Sequence, residues 1–368
     1  MGGIEVVRMR ILFNVAHPAQ VHLFRNALQT LMDHGHECRI TAINKEVSLK
    51  LLDSFGFDYD AIGRARPTPF GKGLELLRID AKLLQIARSF HPDLLVGGVG
   101  NAYVAHVGKL IRKPSIIFDD TEHAAIQHHL TDPFVSAICT PSCYTKDLGE
   151  KQVRYNGYHE LAYLHPNRFT PDPAVLAELG LTEGDPFIIV RFVSWDANHD
   201  IGHTGLTLDN KRKMIHEFEK YGRVFITSEK PLVGEFEKYR ISVFPEKMHD
   251  LLYYATLLYG ESATMASECA VLGTHAIFCD FAGRGYTDEE ERDYNLVYNF
   301  KLDESSQEKS IERAVELLQD PALKEKGREK QKRLLNDKID VTAFMVWFIE
   351  NYPQSVVAMK NSPTKMFT

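Results

Sequence analysis

The residues best placed for chemistry lie in a short polar segment between two apolar runs, within residues 255–279. The pattern predicts a strand, a tight turn at Ser262, Ala263 and Thr264, then a helix and a second strand. Backbone N–H groups at the start of a helix have no partners within it, so they suit the oxygens of a diphosphate. One helical turn beyond Thr264, Glu268 can accept hydrogen bonds from both hydroxyls of a ribose. The segment therefore predicts a nucleotide-sugar site.

Two histidines bracket Pro18 in the loop after the first predicted strand, where doubly wound proteins ordinarily place backbone that contacts ligand. His17 is a candidate general base, because an imidazole with a pKa of about 6.5 transfers protons near neutral pH. His22 is a candidate contact to an acceptor substrate. The competing interpretation is that His17 only caps the helix that follows. The loop contains no glycine, which excludes a G-x-G-x-x-G dinucleotide site.

Four ionisable residues, Asp119, Asp120, Glu122 and His123, follow a later predicted strand. Three carboxylates this close repel one another unless a substrate or a cation occupies the site. Asp119 and Glu122 are therefore candidate catalytic residues, and Asp120 and His123 are candidate acceptor contacts. The competing interpretation is a helix start, with Asp120 or Thr121 as the N-cap.

The second half of the chain offers further candidate contacts to a nucleotide-sugar donor. Ser194 follows a predicted strand and can donate to a phosphate oxygen, while the Trp195 ring can stack on a base or a sugar. Glu246 precedes the helix that leads into the donor segment, which places it near the base. Arg284 can bind a phosphate with two parallel hydrogen bonds, unless the acidic run at 288–291 pairs with it in the free protein.

The sequence gives only weak signs of a metal site. Asp196, His199 and His203 are spaced loosely within one loop, and Cys139 and Cys143 have no second pair of ligands at zinc spacing. We therefore expect no metal, and no cofactor other than the nucleotide-diphosphate sugar that serves as substrate.

The sequence that contains these residues alternates short apolar runs with segments of helical periodicity. This alternation predicts βαβ units and parallel sheets, which would position the residues. Strands are predicted at residues 10–15, 37–42, 94–96, 115–118, 135–139, 186–192, 223–227, 241–244, 255–259 and 275–279. The pattern changes between about residues 158 and 186, where a proline-rich segment without periodicity, residues 164–173, resembles a linker. The prediction is an α/β protein with two doubly wound, Rossmann-like domains facing a cleft at the carboxyl ends of their strands.

The expected boundaries follow from this linker. The N-terminal, acceptor-side domain covers residues 9–165, and the C-terminal, donor-side domain covers 175–335. A helical tail at 336–368 is expected to pack back on the N-terminal domain. A chain of 368 residues is long enough for two hydrophobic cores.

Charge, apolar run length and cysteine count limit the classes of binding partner and the compartment that the sequence favours. The formal net charge is −7, which argues against nucleic acid as a general partner. No segment reaches the roughly 20 apolar residues that span a membrane, although a basic amphipathic stretch at 72–88 leaves peripheral membrane contact open. Five scattered cysteines without a disulfide framework favour a reducing cytoplasm.

The chain resembles the GT-B superfamily of nucleotide-sugar enzymes, and more narrowly the microbial family filed as domain of unknown function 354. The segments that carry this family likeness are residues 14–22, 118–123, 191–200 and 283–287. Residues 262–273 are similar to the strand–turn–helix of the lipid-linked N-acetylglucosaminyltransferases of peptidoglycan synthesis. The resemblance implies that Glu268 holds the donor ribose. The chain lacks that family's glycine-rich loop after the first strand.

The first hypothesis is a metal-independent glycosyltransferase that takes a nucleotide-sugar donor and transfers a hexosyl or N-acetylhexosaminyl group. Its acceptor would be a glycan, a lipid-linked molecule or a small molecule. Two alternatives remain open: a nucleotide-sugar 2-epimerase, which shares the GT-B layout, and a non-catalytic module that binds nucleotide sugars or assembles other enzymes.

Overall fold

A computed structural model describes residues 8–45, 47–64, 69–192, 205–228, 232, 234–241 and 243–361. The chain forms two compact units. The first unit contains the chain as far as Tyr163 and the segment that begins at Lys338, and the second unit is Leu164–Asp337. Each unit is built around one fully parallel sheet.

Twelve strands lie within the described residues. They are β1 Arg10–Val15, β2 Glu37–Asn44, β3 Asp60–Arg64, β4 Leu94–Gly98, β5 Ser115–Phe118, β6 Ala137–Pro141, β7 Gln152–Tyr155, β8 Phe187–Phe192, β9 Arg223–Ser228, β10 Leu257–Gly260, β11 His275–Cys279 and β12 Val297–Phe300.

Fifteen α-helices lie within the same residues. They are α1 Pro18–Asp33, α2 Ser48–Ser54, α3 Pro69–Phe90, α4 Ala102–Ile111, α5 Ala125–Thr131, α6 Leu161–Leu164, α7 Ala174–Glu178, α8 Leu208–Phe218, α9 Met248–Tyr254, α10 Ala263–Leu272, α11 Gly285–Glu289, α12 Glu304–Leu318, α13 Leu323–Asp337, α14 Val341–Glu350 and α15 Gln354–Asn361.

The first unit has a seven-stranded sheet in the order β3-β2-β1-β4-β5-β6-β7. Its central strands are runs of Leu, Ile, Val and Phe, the composition typical of strands buried on both faces. Phe24 of α1 packs edge-on against Phe13 of β1 and Phe118 of β5, with ring centroids 5.6 and 6.0 Å away. The strand order reverses between β1 and β4, which is where doubly wound sheets leave room for ligands.

The C-terminal helices complete the first unit. The buried face of α14 includes Val341, Phe344 and Phe348, and α14 contacts α1. The Phe344 ring stacks on Tyr155 of β7 with centroids 4.8 Å apart. The core of this unit therefore contains side chains from both ends of the chain.

The second unit has a five-stranded sheet in the order β12-β11-β10-β8-β9. The order reverses between β8 and β10, so the loops after these two strands flank the switch point. A Cβ at Gly260, the last residue of β10, would lie 2.2 Å from the carbonyl oxygen of Arg191 on β8. Only glycine allows the two strand ends to approach this closely.

The structure corrects two expected elements. A strand was expected at residues 241–244. Ser242 is not described, and the other three residues form no strand. Just before this segment, Arg240 forms an isolated parallel β-bridge with Ile226 of the edge strand β9. The helix expected to begin at Asp120 or Thr121 begins at Ala125, and its preceding residue makes no side-chain cap.

Candidate functional site

The loop between β10 and α10 stands at the switch point of the second sheet. Ser262 caps α10, and its hydroxyl oxygen accepts from the backbone N–H of Met265 at 3.3 Å. Ala263 and Thr264 follow as the first residues of the helix. The helix ends at Gly273, whose φ of +76° is in the left-handed region that glycine adopts without strain. The backbone N–H groups of the first turn thus occur where a parallel sheet binds ligands.

Glu268 lies one turn into α10 and is 5% exposed. Its Oε1 is 2.9 Å from Nε2 of His249, a buried residue of α9. The Phe169 ring packs edge-on against the His249 ring with centroids 6.3 Å apart. Helix α9 and Phe169 therefore fix the imidazole, and the imidazole orients the carboxylate. The pairing of His249 with Glu268 was not predicted from the sequence.

The guanidinium of Arg284 is folded back on its own loop. Nη2 of Arg284 lies 3.3 Å from Oδ2 of Asp280 in an ion pair. Nη1 donates to the carbonyl oxygens of Ala282 and Gly283. The expected competitor for Arg284 was the acidic run at 288–291, whereas the guanidinium forms its ion pair with Asp280. A phosphate at this loop would compete with the Asp280 carboxylate for the same guanidinium.

Glu246 is half-buried in a single turn of 3-10 helix, Pro245–Lys247, directly before α9. Ser194 and Trp195 lie outside the described residues, as do Asp196, His199 and His203. Among the residues that are described, no group of three or more His, Cys, Asp and Glu side chains could hold a metal ion. No helix in the same part of the chain is long and apolar enough to cross a membrane.

In the first unit, Asp119 is a buried carboxyl group directly after β5. Its Oδ1 accepts from the Thr121 N–H at 2.8 Å, and its Oδ2 lies 3.4 Å from both the Tyr144 hydroxyl and Nε2 of His128. Burial is the main cause that raises the pKa of Asp119, to about 7. This carboxyl group can therefore donate or accept a proton near neutral pH.

The pKa of Asp120, the next residue, is shifted in the opposite direction. Its Oδ2 is 3.0 Å from Nδ1 of His159, which follows β7. Burial alone would raise the pKa of Asp120, but the charge and hydrogen bond of His159 lower it below its usual value. The pKa of His159 is raised, because the Asp120 carboxylate outweighs the burial that would lower it. Sequence reasoning missed His159, and recognising β7 as a strand would have placed it at the carboxyl edge of the sheet.

Glu122 is buried, and its Oε1 accepts from the backbone N–H of Thr145 at 3.3 Å. His123 is exposed in the turn before α5. The interpretation of this segment as the N-cap of a helix is wrong, because α5 begins only at Ala125. The segment is a loop that holds three carboxylates at the end of β5.

His17 and His22 are held by α1. His17 is the N-cap of α1, and its Nδ1 accepts from the Ala19 N–H at 3.3 Å. In the neutral ring the proton therefore sits on Nε2, which makes that nitrogen a donor. His22 is buried with its ring near those of Phe55 and Tyr163, at centroid distances of 5.8 and 5.4 Å.

Comparison with known proteins supports the fold and leaves the reaction open. A family model described as a protein of unknown function (DUF354) matches residues 9–349. No curated protein matches the chain.

Solved structures resemble the chain over nearly its full length. S. aureus MnaA, in a co-structure with UDP, has a TM-score of 0.69 at 11% identity, covering 95% of this chain and 98% of that chain. UDP-GlcNAc 2-epimerase from Neisseria meningitidis bound to UDP-GlcNAc has a TM-score of 0.63 at 12% identity, covering 95% and 100%. The glycosyltransferase SsfS6 from Streptomyces sp. SF2575 has a TM-score of 0.62 at 11% identity, covering 94% and 100%. The expected fold, with two parallel-sheet domains of the GT-B type, is confirmed.

Proposed function

The chain belongs to the DUF354 family, and we propose that it is a GT-B-type glycosyltransferase that uses a nucleotide-diphosphate sugar as its donor. The observation that carries the proposal is the position of Glu268. This buried carboxylate lies one turn into the helix that starts at the switch point of the second sheet. The first turn of that helix offers N–H groups to a diphosphate, and the carboxylate offers an acceptor to a ribose.

The donor would be held by residues of the second unit. The N–H groups of Ala263 and Thr264 would bind the diphosphate behind the Ser262 cap, and Glu268 would accept from the ribose hydroxyls. Arg284 would join the diphosphate after exchanging Asp280 for a phosphate oxygen. Further contacts would come from Ser194 to phosphate and from Trp195 and Glu246 to the base or sugar.

The first unit would supply the groups that handle the acceptor. Asp119 and Glu122 are buried carboxyl groups at the end of β5, and the raised pKa of Asp119 suits it to proton transfer. Asp120, His22 and His123 would contribute contacts to the acceptor side. His17, with its Nε2 as a donor, would hydrogen-bond to a substrate oxygen.

The chemical step would rest on positioning and on charge stabilisation. As the acceptor oxygen bonds to the anomeric carbon, the bond from that carbon to the diphosphate breaks and the nucleoside diphosphate leaves. Helix N–H groups and Arg284 would stabilise the negative charge that develops on the leaving group. These groups belong to the chain itself, so the proposal assigns no role to a metal.

A nucleotide-sugar 2-epimerase is the second candidate. Asp119 is the specific observation in its favour, because a carboxyl group with a pKa of about 7 can exchange a proton with a sugar carbon. The solved structures that resemble the chain include a UDP-GlcNAc 2-epimerase as well as a glycosyltransferase. Incubation with a donor alone separates the two: an epimerase converts it, whereas a transferase needs an acceptor.

Calorimetric titration with UDP-N-acetylglucosamine, GDP-mannose, dTDP-glucose and CDP-glucose tests the proposal. We expect one of them to bind, and Glu268→Gln to weaken that donor by about 10- to 100-fold, because hydrogen bonds to a charged acceptor are worth roughly 1.5–3 kcal/mol. Glu290→Gln is the matched control. The Glu290 carboxylate is fully buried and accepts a hydrogen bond of 2.6 Å from the hydroxyl of Ser267, which lies on the same helix as Glu268. Equal donor affinity in Glu268→Gln and wild type would contradict the donor assignment.

A further inference from the structure

Exposed large apolar side chains are concentrated on one part of the first unit. Among the described residues ten such side chains are exposed, and six of them lie on or directly after α3, α4 and α5. These six, each between 38% and 73% exposed, are Leu74, Leu77, Leu110, Ile126, Leu130 and Phe134. A single exposed apolar residue is ordinary, but a group of them on one surface marks a place of contact.

His106 of α4 holds the three helices side by side. Its Nδ1 lies 2.9 Å from Oδ2 of Asp80 on α3, and its Nε2 lies 2.9 Å from the carbonyl oxygen of Leu130 on α5. The ring also packs edge-on against Phe134, with centroids 5.2 Å apart. Because α4 also contacts both α3 and α5 along their lengths, the outer faces of the three helices form one surface.

The other exposed apolar residues lie one helical turn from these contacts. Residues three or four apart share a face of an α-helix. One turn separates three pairs of residues, which are Leu77 and Asp80, Leu110 and His106, and Ile126 and Leu130. Leu74 continues the row from Leu77 by a further turn. The six exposed residues therefore surround His106, and we call them the apolar patch.

The charged side chains that accompany the apolar patch are basic. Those that are exposed or half-buried on the three helices are Arg78, Lys82, Arg88 and Lys109. Glu75 is buried, and Asp80 pairs with His106. Asp132, just beyond α5, faces His128 at 3.4 Å. On the side chains that the structure describes in α3, α4 and α5, no carboxylate is exposed, although the whole chain has a formal net charge of −7.

A bilayer surface with anionic headgroups suits both properties. Apolar side chains can enter the boundary between headgroups and acyl chains. Lys and Arg side chains can bury their apolar stems there and keep their charges at the phosphate groups. A second copy of the chain suits the surface less well, because a symmetric contact would bring two sets of basic residues together.

We propose that the apolar patch and the basic residues beside it dock the first unit on the anionic surface of a membrane. The docking is peripheral, since side chains on the outer faces of three helices enter the interface. Two contributions should add: burial of apolar area, and attraction of the basic residues to the headgroups, which salt screens. This docking needs no nucleotide sugar, so it is independent of the proposed transfer.

Co-sedimentation of the full-length chain with lipid vesicles measures the docking. We expect binding to vesicles that mix phosphatidylglycerol with phosphatidylcholine, little binding to phosphatidylcholine alone, and release as the salt concentration rises. Leu77→Ser combined with Ile126→Ser should weaken binding by about tenfold or more, because two of the most exposed apolar side chains are lost. Val357→Ser is the matched control, since this side chain is 60% exposed on α15 of the same unit, and it should bind like wild type.

A second pair of changes tests the charges separately. Arg78→Gln combined with Lys109→Gln should weaken binding to the anionic vesicles by roughly 10- to 30-fold at low salt, because each basic residue at such a surface contributes about fivefold. The difference from wild type should shrink at high salt. Lys332→Gln, at an exposed lysine on α13 of the second unit, is the matched control and should bind like wild type.

Three results would overturn the docking. One is a wild type that stays in the supernatant with both kinds of vesicle, and another is wild-type affinity in both double variants. The third is a dimer in light scattering that the change of Leu77 and Ile126 converts to a monomer, without vesicle binding, which would make the patch an interface between two copies. Equal binding to neutral and anionic vesicles would overturn the assignment of an anionic surface.

Discussion

At the scale of single residues, the candidate donor site depends on a buried pair, His249 and Glu268. Both side chains are almost fully buried, and the carboxylate gains a hydrogen bond that fixes one of its oxygens. A buried carboxylate without that partner would be less well oriented and more costly to keep charged. In the proposed donor site, the imidazole would therefore support binding without touching the donor.

His249→Ala tests this indirect role. We expect the affinity for the bound nucleotide sugar to fall by about tenfold, equivalent to about 1.4 kcal/mol, because Glu268 loses the group that orients it. Isothermal titration calorimetry measures the change. His216→Ala, at an exposed position on α8 in the same unit, should bind like wild type. If His249→Ala binds as tightly as His216→Ala, the histidine has no part in orienting the carboxylate.

Asp119 gives a prediction about stability and pH. Its folded-state pKa of about 7 lies above the ordinary aspartate value of 3.8, so the folded state disfavours ionisation. The contribution of protonated Asp119 to the stability of the folded state is present at low pH and is lost as the pH rises through about 7. Asp119→Asn mimics the uncharged form, so its melting temperature should match wild type at pH 4 and exceed it by several degrees at pH 8.

Differential scanning fluorimetry between pH 4 and pH 8 measures this difference. Asp58→Asn, at an exposed position of the same unit, should run parallel to wild type over the whole range. A constant offset between Asp119→Asn and wild type at every pH would mean that Asp119 stays ionised throughout.

Residue types and spacing predicted some of these groups and not others. Glu268 could be found because it lies one turn after a recognisable helix start. Asp119 and Asp120 are adjacent and chemically identical, and only the fold gives one a raised and the other a lowered pKa. The pairs His249–Glu268 and His159–Asp120 were not predicted, because their members lie 19 and 39 residues apart in sequence.

At the scale of secondary-structure elements, one glutamine joins the two loops at the switch point of the first sheet. Gln20 accepts from the Ala16 N–H after β1 at 2.8 Å and donates to the Val99 carbonyl after β4 at 2.8 Å. Its side chain passes over Gly98, where a Cβ would lie 2.6 Å from the amide nitrogen. The glycine is required because the amide occupies the space that a side chain would need.

Gly98→Ala should therefore destabilise the first unit by about 1–3 kcal/mol, the cost of forcing a group into a packed site. Adding Gln20→Ala should relieve the clash, so the double variant should lose less stability than the sum of the two single changes. Urea unfolding measures all three. Gly73→Ala, in α3 with nothing within 4 Å of the added Cβ, is the control and should gain about 0.5–1 kcal/mol. Strict additivity would show that the two positions do not interact.

The elements that the sequence did not predict share a physical cause. Strands at 115–118 and 275–279 were expected with the bounds of β5 and β11, both interior and fully buried. The three missed strands, β3, β7 and β12, are all at the edges of their sheets. Edge strands cover less of the core and mix polar with apolar residues, as in Gln152–Tyr155, so they lack the continuous apolar run that marks a buried parallel strand.

At the scale of the whole molecule, the chain leaves the first unit at Tyr163 and returns to it at Lys338. The returning segment brings a set of nearly fully buried side chains to the first core: Val341, Phe344, Met345, Phe348 and Ile349. Burial of a large apolar side chain is worth roughly 1.5–3 kcal/mol. Five such residues together match the net stability of a typical domain, about 5–15 kcal/mol.

Removal of residues 338–368 should therefore unfold the first unit selectively. Hydrogen exchange should show loss of protection in β1, β4 and β5, while β8, β10 and β11 stay protected because the second unit keeps its whole core. A shorter truncation, which removes only residues 362–368, is the control and should leave both sheets protected, since α14 and α15 remain. Full protection of β1, β4 and β5 in the longer truncation would show that the first unit folds without its C-terminal helices. In that case the burial of Phe344 against Tyr155 would add stability without deciding whether the unit folds.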